Sequence, residues 1–176
     1  MLLHPSPNFD DRPLNTIVDT IVIHYTNMSS ATVSLQRLCD PLHKVSSHYL
    51  IDQDGTIYQL VAEEKRAWHA GESIWQGRPR VNDFSIGIEL HNPGDVHFLE
   101  TGAWHPYPDT QYQALLSLLK DIATRHPLVT QNTVGHCHIA PARKIDPGPH
   151  FDWDWLARKG FTSLLMKSDI GKLVFC

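Results

Sequence analysis

The sequence predicts an α/β fold, a mixed β-sheet flanked by helices. Short β-branched or apolar runs at 17–26, 47–51, 56–60 and 84–90 are interleaved with segments of helical period at about 31–39 and 110–126, the pattern of strands and helices sharing one core. A length of 176 residues suits a single domain spanning 1–176, with no internal repeat. Hydrophobic residues at 41% and charged residues at 19% describe a chain that can bury a core rather than a disordered one.

Residues 4–15, with Pro5, Pro7 and Pro13 among polar neighbours, read as an extended surface lead-in. The run from Ile17 to Thr26 has the density of a central strand buried on both faces, with His24 near its C-terminal end. Ser29 or Ser30 can cap a short helix over 31–39, where Leu35 and Leu38 share a face and Asp40-Pro41 stops it. Asp54-Gly55 suits the turn of a hairpin between 47–51 and 56–60. Residues 63–83 lack any sustained period and read as a long ordered loop. Phe84 to Leu90 alternates, placing Gly87 and Glu89 on the face opposite Ile86, Ile88 and Leu90. A second loop is expected over 91–108. Thr110-x-x-Gln113 then offers a capping box for a helix striped by Tyr112, Leu115, Leu116, Leu119, Ile122 and Ala123 and ended by Pro127. Val134 to Ile139 reads as a short strand, 140–152 as loop, and Trp153 to Arg158 as one or two helical turns.

Lys plus Arg number 15 against 19 Asp plus Glu, a net charge of -4 that excludes a basic nucleic-acid binder on bulk electrostatics. No apolar run approaches the roughly 20 residues of a membrane helix. The N-terminus lacks the basic start and apolar stretch of a signal peptide, and Cys39, Cys137 and Cys176 match no C-x-x-C pattern, so a reducing cytoplasm is the expected compartment.

Twelve histidines are the compositional excess, and histidine is both the commonest metal ligand and the side chain that titrates near neutrality. His24 ends the first strand, His136 begins the late one, and Asp146 follows ten residues on in the loop. Three N/O donors of this kind leave a tetrahedral Zn2+ one open position, the catalytic rather than the structural arrangement. The same residues also suit a satisfied core histidine, a turn and a cap. Of His136 and His138, which a strand would point the same way, one then falls outside the ligand set, and Cys137 reads as a small buried filler. Glu89 is either a surface carboxylate or a general base, and spacing leaves both open. Arg143 and Lys144 read as solvated charge, although a Lys beside a zinc site can stabilise an oxyanion.

Five ordered blocks carry a family resemblance: Ile21 to Thr26, Val45 to Ile51 with Asp54-Gly55, Arg66 to Gly71, Asn82 to Leu90, and Gly135-His136 through Asp146-Pro147-Gly148-Pro149 to Trp153. Together they resemble the zinc N-acetylmuramoyl-L-alanine amidases of the AmpD and peptidoglycan-recognition type, over a core of about 6–158 that leaves 159–176 as a tail. The resemblance implies a mixed sheet with helices against it. It also implies Zn2+ on His24, His136 and Asp146, Glu89 as general base, and Lys144 on the developing oxyanion. Lys44 and Arg80 match positions that meet the acidic stem peptide, and Trp68, His69, Ala70 and Asn82 match the groove.

The reaction so implied is hydrolysis of the amide between N-acetylmuramic or 1,6-anhydro-N-acetylmuramic acid and L-alanine, in peptidoglycan fragment recycling. Two departures bear on the substrate. Only 20 residues, 25–44, separate His24 from Val45, where the recycling enzymes carry a long insertion, so this spacing is closer to the broader-specificity AmiD type acting on intact peptidoglycan. The loop over 91–108 is longer than theirs. A non-catalytic peptidoglycan-binding module and a histidine-rich metal-storage protein, with His4, His43, His97, His105 and His126 as scattered donors, are the rival classes.

Overall fold

The computed structural model describes residues 1–163; the expected packing of Leu164, Leu165 and Leu173 and the role of Cys176 lie outside these residues. The chain begins with β1 (Leu2–Leu3), β2 (Phe9–Asp11), β3 (Thr20–Tyr25) and α1 (Ala31–Cys39). Five short strands follow, β4 (Tyr49–Ile51), β5 (Ile57–Gln59), β6 (Lys65–Ala67), β7 (Ile74–Trp75) and β8 (Arg78–Pro79), before the longer β9 (Ser85–Leu90). Then come α2 (Gly94–Thr101), α3 (Asp109–Arg125), β10 (Thr133–Gly135), α4 (His136–Ile139) and α5 (Trp153–Arg158).

The main sheet has the order β1-β5-β4-β9-β3-β10, with β4 and β5 antiparallel and the other neighbours parallel. Thr20–Tyr25 is buried at every position, as a strand covered on both faces requires. Ile21 and Ile23 of β3 and Ile86, Ile88 and Leu90 of β9 pack beneath Leu115, Leu118, Leu119 and Ile122 of α3. Each such side chain contributes about 1.5–3 kcal/mol by leaving water. On the other face, Ala31, Leu35 and Leu38 of α1 pack with Leu50 of β4. Register places Val22 opposite Gly87 and His24 opposite Glu89 on that second face. Two helical layers thus cover the sheet and leave the C-terminal ends of β3 and β9 open between them, the edge where α/β sheets commonly bind ligands.

The hairpin forms as expected, with Gly55 at φ +88° in its turn, and Ser30 caps α1 by accepting from Val33 N–H. Several expectations are corrected. The lead-in is not merely a surface strap: β2 pairs with β6, Ser6 and Asn8 are buried, and the Arg12 guanidinium donates to the carbonyls of Glu63, Asn82, Asp83 and Ser85. Residues 63–83 contain β6, the β7–β8 hairpin and a 3-10 turn at Val81–Asp83, because β6 finds its partner in a distant segment.

Residues 91–108 contain α2, started where Asn92 Oδ1 accepts from Gly94 N–H and ended by Gly102 at φ +74°. Thr110 does not cap α3, which begins at Asp109; its hydroxyl donates to the Gln53 carbonyl in the hairpin turn. The late strand stops at Gly135, and His136 opens α4, with His138 Nδ1 accepting the Gly135 N–H at 2.8 Å.

A buried acid anchors the back of the fold. Burial alone would raise Glu63, but hydrogen bonds from Arg125 and Tyr49 and the charges of Arg125 and His126 overcome it and hold the carboxyl at about 2. An unfolded Glu titrates near 4.3, so this contribution is complete above about pH 4.5 and is lost as pH falls toward 2. Urea midpoints should therefore drop between pH 5 and 2.5 more steeply for wild type than for Glu63→Gln, which should be about 2 kcal/mol less stable at pH 7. Equal slopes would remove Glu63 from the acid response.

Candidate metal centre and active-site cleft

Three donors converge at the open sheet edge. His24 comes from the end of β3, His136 from the first residue after β10, which is parallel to β3, and Asp146 from the loop whose main-chain oxygen accepts the Cys137 N–H at 3.0 Å. His24 Nδ1 lies 3.0 Å from both His136 Nδ1 and Asp146 Oδ2, and His136 Nδ1 lies 3.1 Å from the same oxygen. All three residues are buried.

The donor set fits a metal ion. Ligands on a tetrahedron at Zn–N and Zn–O distances of 2.0–2.1 Å sit about 3.3 Å apart, close to this triangle. Burial and the neighbouring His136 lower His24 to about 4 against the pull of Asp146, so its ring is uncharged at neutral pH and has a lone pair to give. His136 Nε2–H donates to the Ala70 carbonyl at 3.1 Å, which leaves His136 Nδ1 bare toward the trio.

Glu89 stands beside His24 as its partner on β9, on the same face. Its Oε2 is sealed from solvent and has no hydrogen-bond partner on the protein. Burial, then the charge of Asp146, push the carboxyl well above its ordinary range, and Lys144 works in the opposite direction. The cleft above, about 470 Å³, is lined by the trio and Glu89 together with Lys144, Trp68 and His69.

The other residues singled out in the sequence are placed variously at the cleft's edge, behind it and away from it. Lys44, exposed at φ +51°, adjoins the cleft-lining Val45. Arg80 is exposed, pairs with Asp83 at 3.1 Å and does not line the cleft. Ala70 is fully buried and acts through its carbonyl, while Asn82 Oδ1 accepts from the N–H groups of His69 and Ala70 at 3.1 and 2.8 Å, shaping the loop from behind. Arg143 is not free surface charge: its guanidinium donates to the Ala70 and Glu72 carbonyls. Two further lining residues escaped the sequence reading. Arg37 gave only the signal of an ordinary helix surface, and Asp95 lay in a segment read as loop.

Three N/O donors that could hold one ion and an unpartnered carboxyl beside them, at the open end of a sheet, are the arrangement that mononuclear metallohydrolases use. Residues 14–149 match the N-acetylmuramoyl-L-alanine amidase family, and the chain belongs to that family. It is a hydrolase of the amide joining N-acetylmuramic acid to L-alanine. The chain is 40% identical over 166 residues to the 1,6-anhydro-N-acetylmuramyl-L-alanine amidase AmpD of Citrobacter freundii, covering 85% of this chain and 84% of that one. It is 44% identical over 150 residues to the N-acetylmuramoyl-L-alanine amidase AmiD of Escherichia coli, covering 81% of this chain and 53% of the relative. The solved complex of E. coli AmiD with anhydro-N-acetylmuramic acid-L-Ala-D-gamma-Glu-L-Lys superposes with a TM-score of 0.76 at 37% identity, over 89% of this chain and 67% of that one. Among the described residues no helix is long and apolar enough to cross a membrane.

Proposed function

We propose that this amidase acts on 1,6-anhydro-N-acetylmuramyl peptides, with Zn2+ held by His24, His136 and Asp146. The observation that carries the reading is the register that sets Glu89 beside His24, its Oε2 unpartnered at the floor of the cleft. Likeness to AmpD and to an AmiD bound to an anhydromuramyl peptide supports the substrate. When bound, the ion supplies Lewis acidity, polarising the scissile carbonyl and bringing the acidity of water near neutrality.

The side chains then divide the proton and charge work. Glu89 takes the proton of the attacking water and returns it to the departing amine of L-alanine. Burial and the Asp146 charge shift it above the ordinary carboxylate range, which favours holding that proton between the two transfers. Lys144, which lines the cleft, faces the oxyanion that develops on the former carbonyl. Trp68 and Arg37 within the cleft, with Lys44 beside Val45, contact the stem peptide. Lys144→Ala is expected to lower kcat by about 10²–10³-fold with little change in KM, and Lys144→Arg to restore part of it. An unchanged kcat would take the oxyanion role from Lys144.

The deciding experiment supplies purified 1,6-anhydro-muropeptide and intact sacculi to the zinc-loaded enzyme and resolves products by mass. Release of a stem peptide beginning with L-alanine from the anhydro-muropeptide is the expected result; activity confined to sacculi would overturn the substrate. The cytoplasmic location expected from the sequence accompanies this proposal, and recovery of the native protein in a wall or membrane fraction would argue for the intact polymer instead.

A further inference from the structure

The hydrogen bonds behind His24 run inward from the cleft and end on a main-chain carbonyl. Ser85 Oγ lies 2.7 Å from the Val81 oxygen, and a carbonyl only accepts, so the hydroxyl proton is committed there. Ser85 Oγ can then only accept from His69 Nε2, 3.2 Å away. His69 is buried among three other imidazoles, with the His24 and His48 rings 5.2 and 5.7 Å from its own and His136 beyond, surroundings that keep it neutral with one N–H. That N–H is Nε2–H, and Nδ1 is bare. His24 Nε2 lies 3.0 Å from His69 Nδ1, so the proton between them belongs to His24. His24 therefore carries Nε2–H and turns an unprotonated Nδ1 to the trio. His136 reaches the same state through one direct bond to the Ala70 carbonyl.

The backbone makes room for this chain. A Cβ on Gly87 would stand 2.4 Å from His69 Cγ, so the ring lies where only glycine permits it. The Gly87 N–H is taken by His48 Nδ1 at 3.0 Å, which fixes the strand beneath the ring.

We infer that His69 and Ser85 are positioning residues that set the Nε2–H tautomer of His24, relaying the Val81 carbonyl to the metal-facing nitrogen. The inference rests on the trio being the Zn2+ site. It gives His69, a cleft-lining residue, a second role behind the metal-facing histidine, and gives Ser85 a role beyond its strand position.

The test uses the full chain with 15N-labelled histidine, stripped of metal, at pH 8. Ring nitrogen shifts should show His24 as the Nε2–H tautomer in wild type and as a mixture in Ser85→Ala, with the fold retained. Zinc competition against a chromogenic chelator should then give a 10–100-fold weaker affinity for His69→Leu. His69→Asn, whose amide oxygen falls near the position of Nδ1, should recover most of that loss. A merely structural role would lower thermal stability without moving the tautomer or the affinity. An Nδ1–H tautomer in wild type, or an unchanged affinity in both His69→Leu and Ser85→Ala, overturns the relay. Should His69→Leu fail to fold, the wild-type tautomer and Ser85→Ala decide alone. A wild-type protein that binds no Zn2+ would defeat the metal reading, while the tautomer measurement still decides the relay.

Discussion

Glu89→Gln is expected to keep the full complement of Zn2+ and to lose about 10²–10⁴-fold in kcat. Gln preserves the length and shape of the side chain on β9 and removes only its ability to hold a proton. Glu89 is not one of the three converging donors, so the metal complement should survive. Its Oε2 has no hydrogen-bond partner on the protein, so the substitution breaks no hydrogen bond of that oxygen and should leave stability near wild type. Metal content by mass spectrometry, with kcat and KM on the anhydro-muropeptide, checks both halves. The proton-transfer role predicts a fall in kcat with KM nearly unchanged. A zinc-replete Glu89→Gln that turns over near the wild-type rate would remove Glu89 from the chemistry.

Asp146→Ala is expected to abolish amide cleavage by a different route, through loss of the ion. Removing one of three donors should weaken Zn2+ by more than the 10–100-fold that follows loss of a supporting hydrogen bond. The loop itself should persist, because the Asp146 main-chain oxygen still accepts the Cys137 N–H. Ligand binding to the folded state alone raises stability, by about 2.7 kcal/mol at a hundredfold excess over Kd. Wild type should thus show a Tm that rises with added Zn2+ and falls with chelator, with activity following both ways. Asp146→Ala should show neither response. Retained Zn2+ and retained turnover in this variant would mean that the trio is not the metal site.

The elements that could be read from the chain are those whose signal is local. Thr20–Tyr25 and Ser85–Leu90 are dense in apolar and β-branched side chains because sheet neighbours and helices cover them. The α3 stripe repeats at helical spacing because one side of that helix meets the sheet. The capping motif at Thr110 misled because the hydroxyl found a better partner in the hairpin turn, a tertiary contact overriding a local preference. β6 and the β7–β8 hairpin look like loop in the sequence because three-residue and two-residue strands have no period to detect, and α2 does so because Pro93-Gly94 reads as a break.

The site divides along the same line. His24, Glu89, His136, Lys144 and Asp146 could be singled out from residue type, spacing and five matching blocks, since donor chemistry is a property of each side chain. His69 lines the cleft, as its sequence neighbours suggest, but its contacts with His24 and Ser85, over a strand position held open by Gly87, carry no sequence signal. Arg80 follows the same logic in reverse, since its bond to Asp83 draws it away from the cleft.

The longer strands and helices, the donor types and the family were legible in the linear order of residues, because each depends on side-chain chemistry and a short period. That three donors meet within 3.1 Å, that Glu89 stands level with His24, and that one histidine serves behind another came from the folded chain. These facts depend on parallel pairing among β3, β9 and β10, contacts between distant segments that no local pattern encodes.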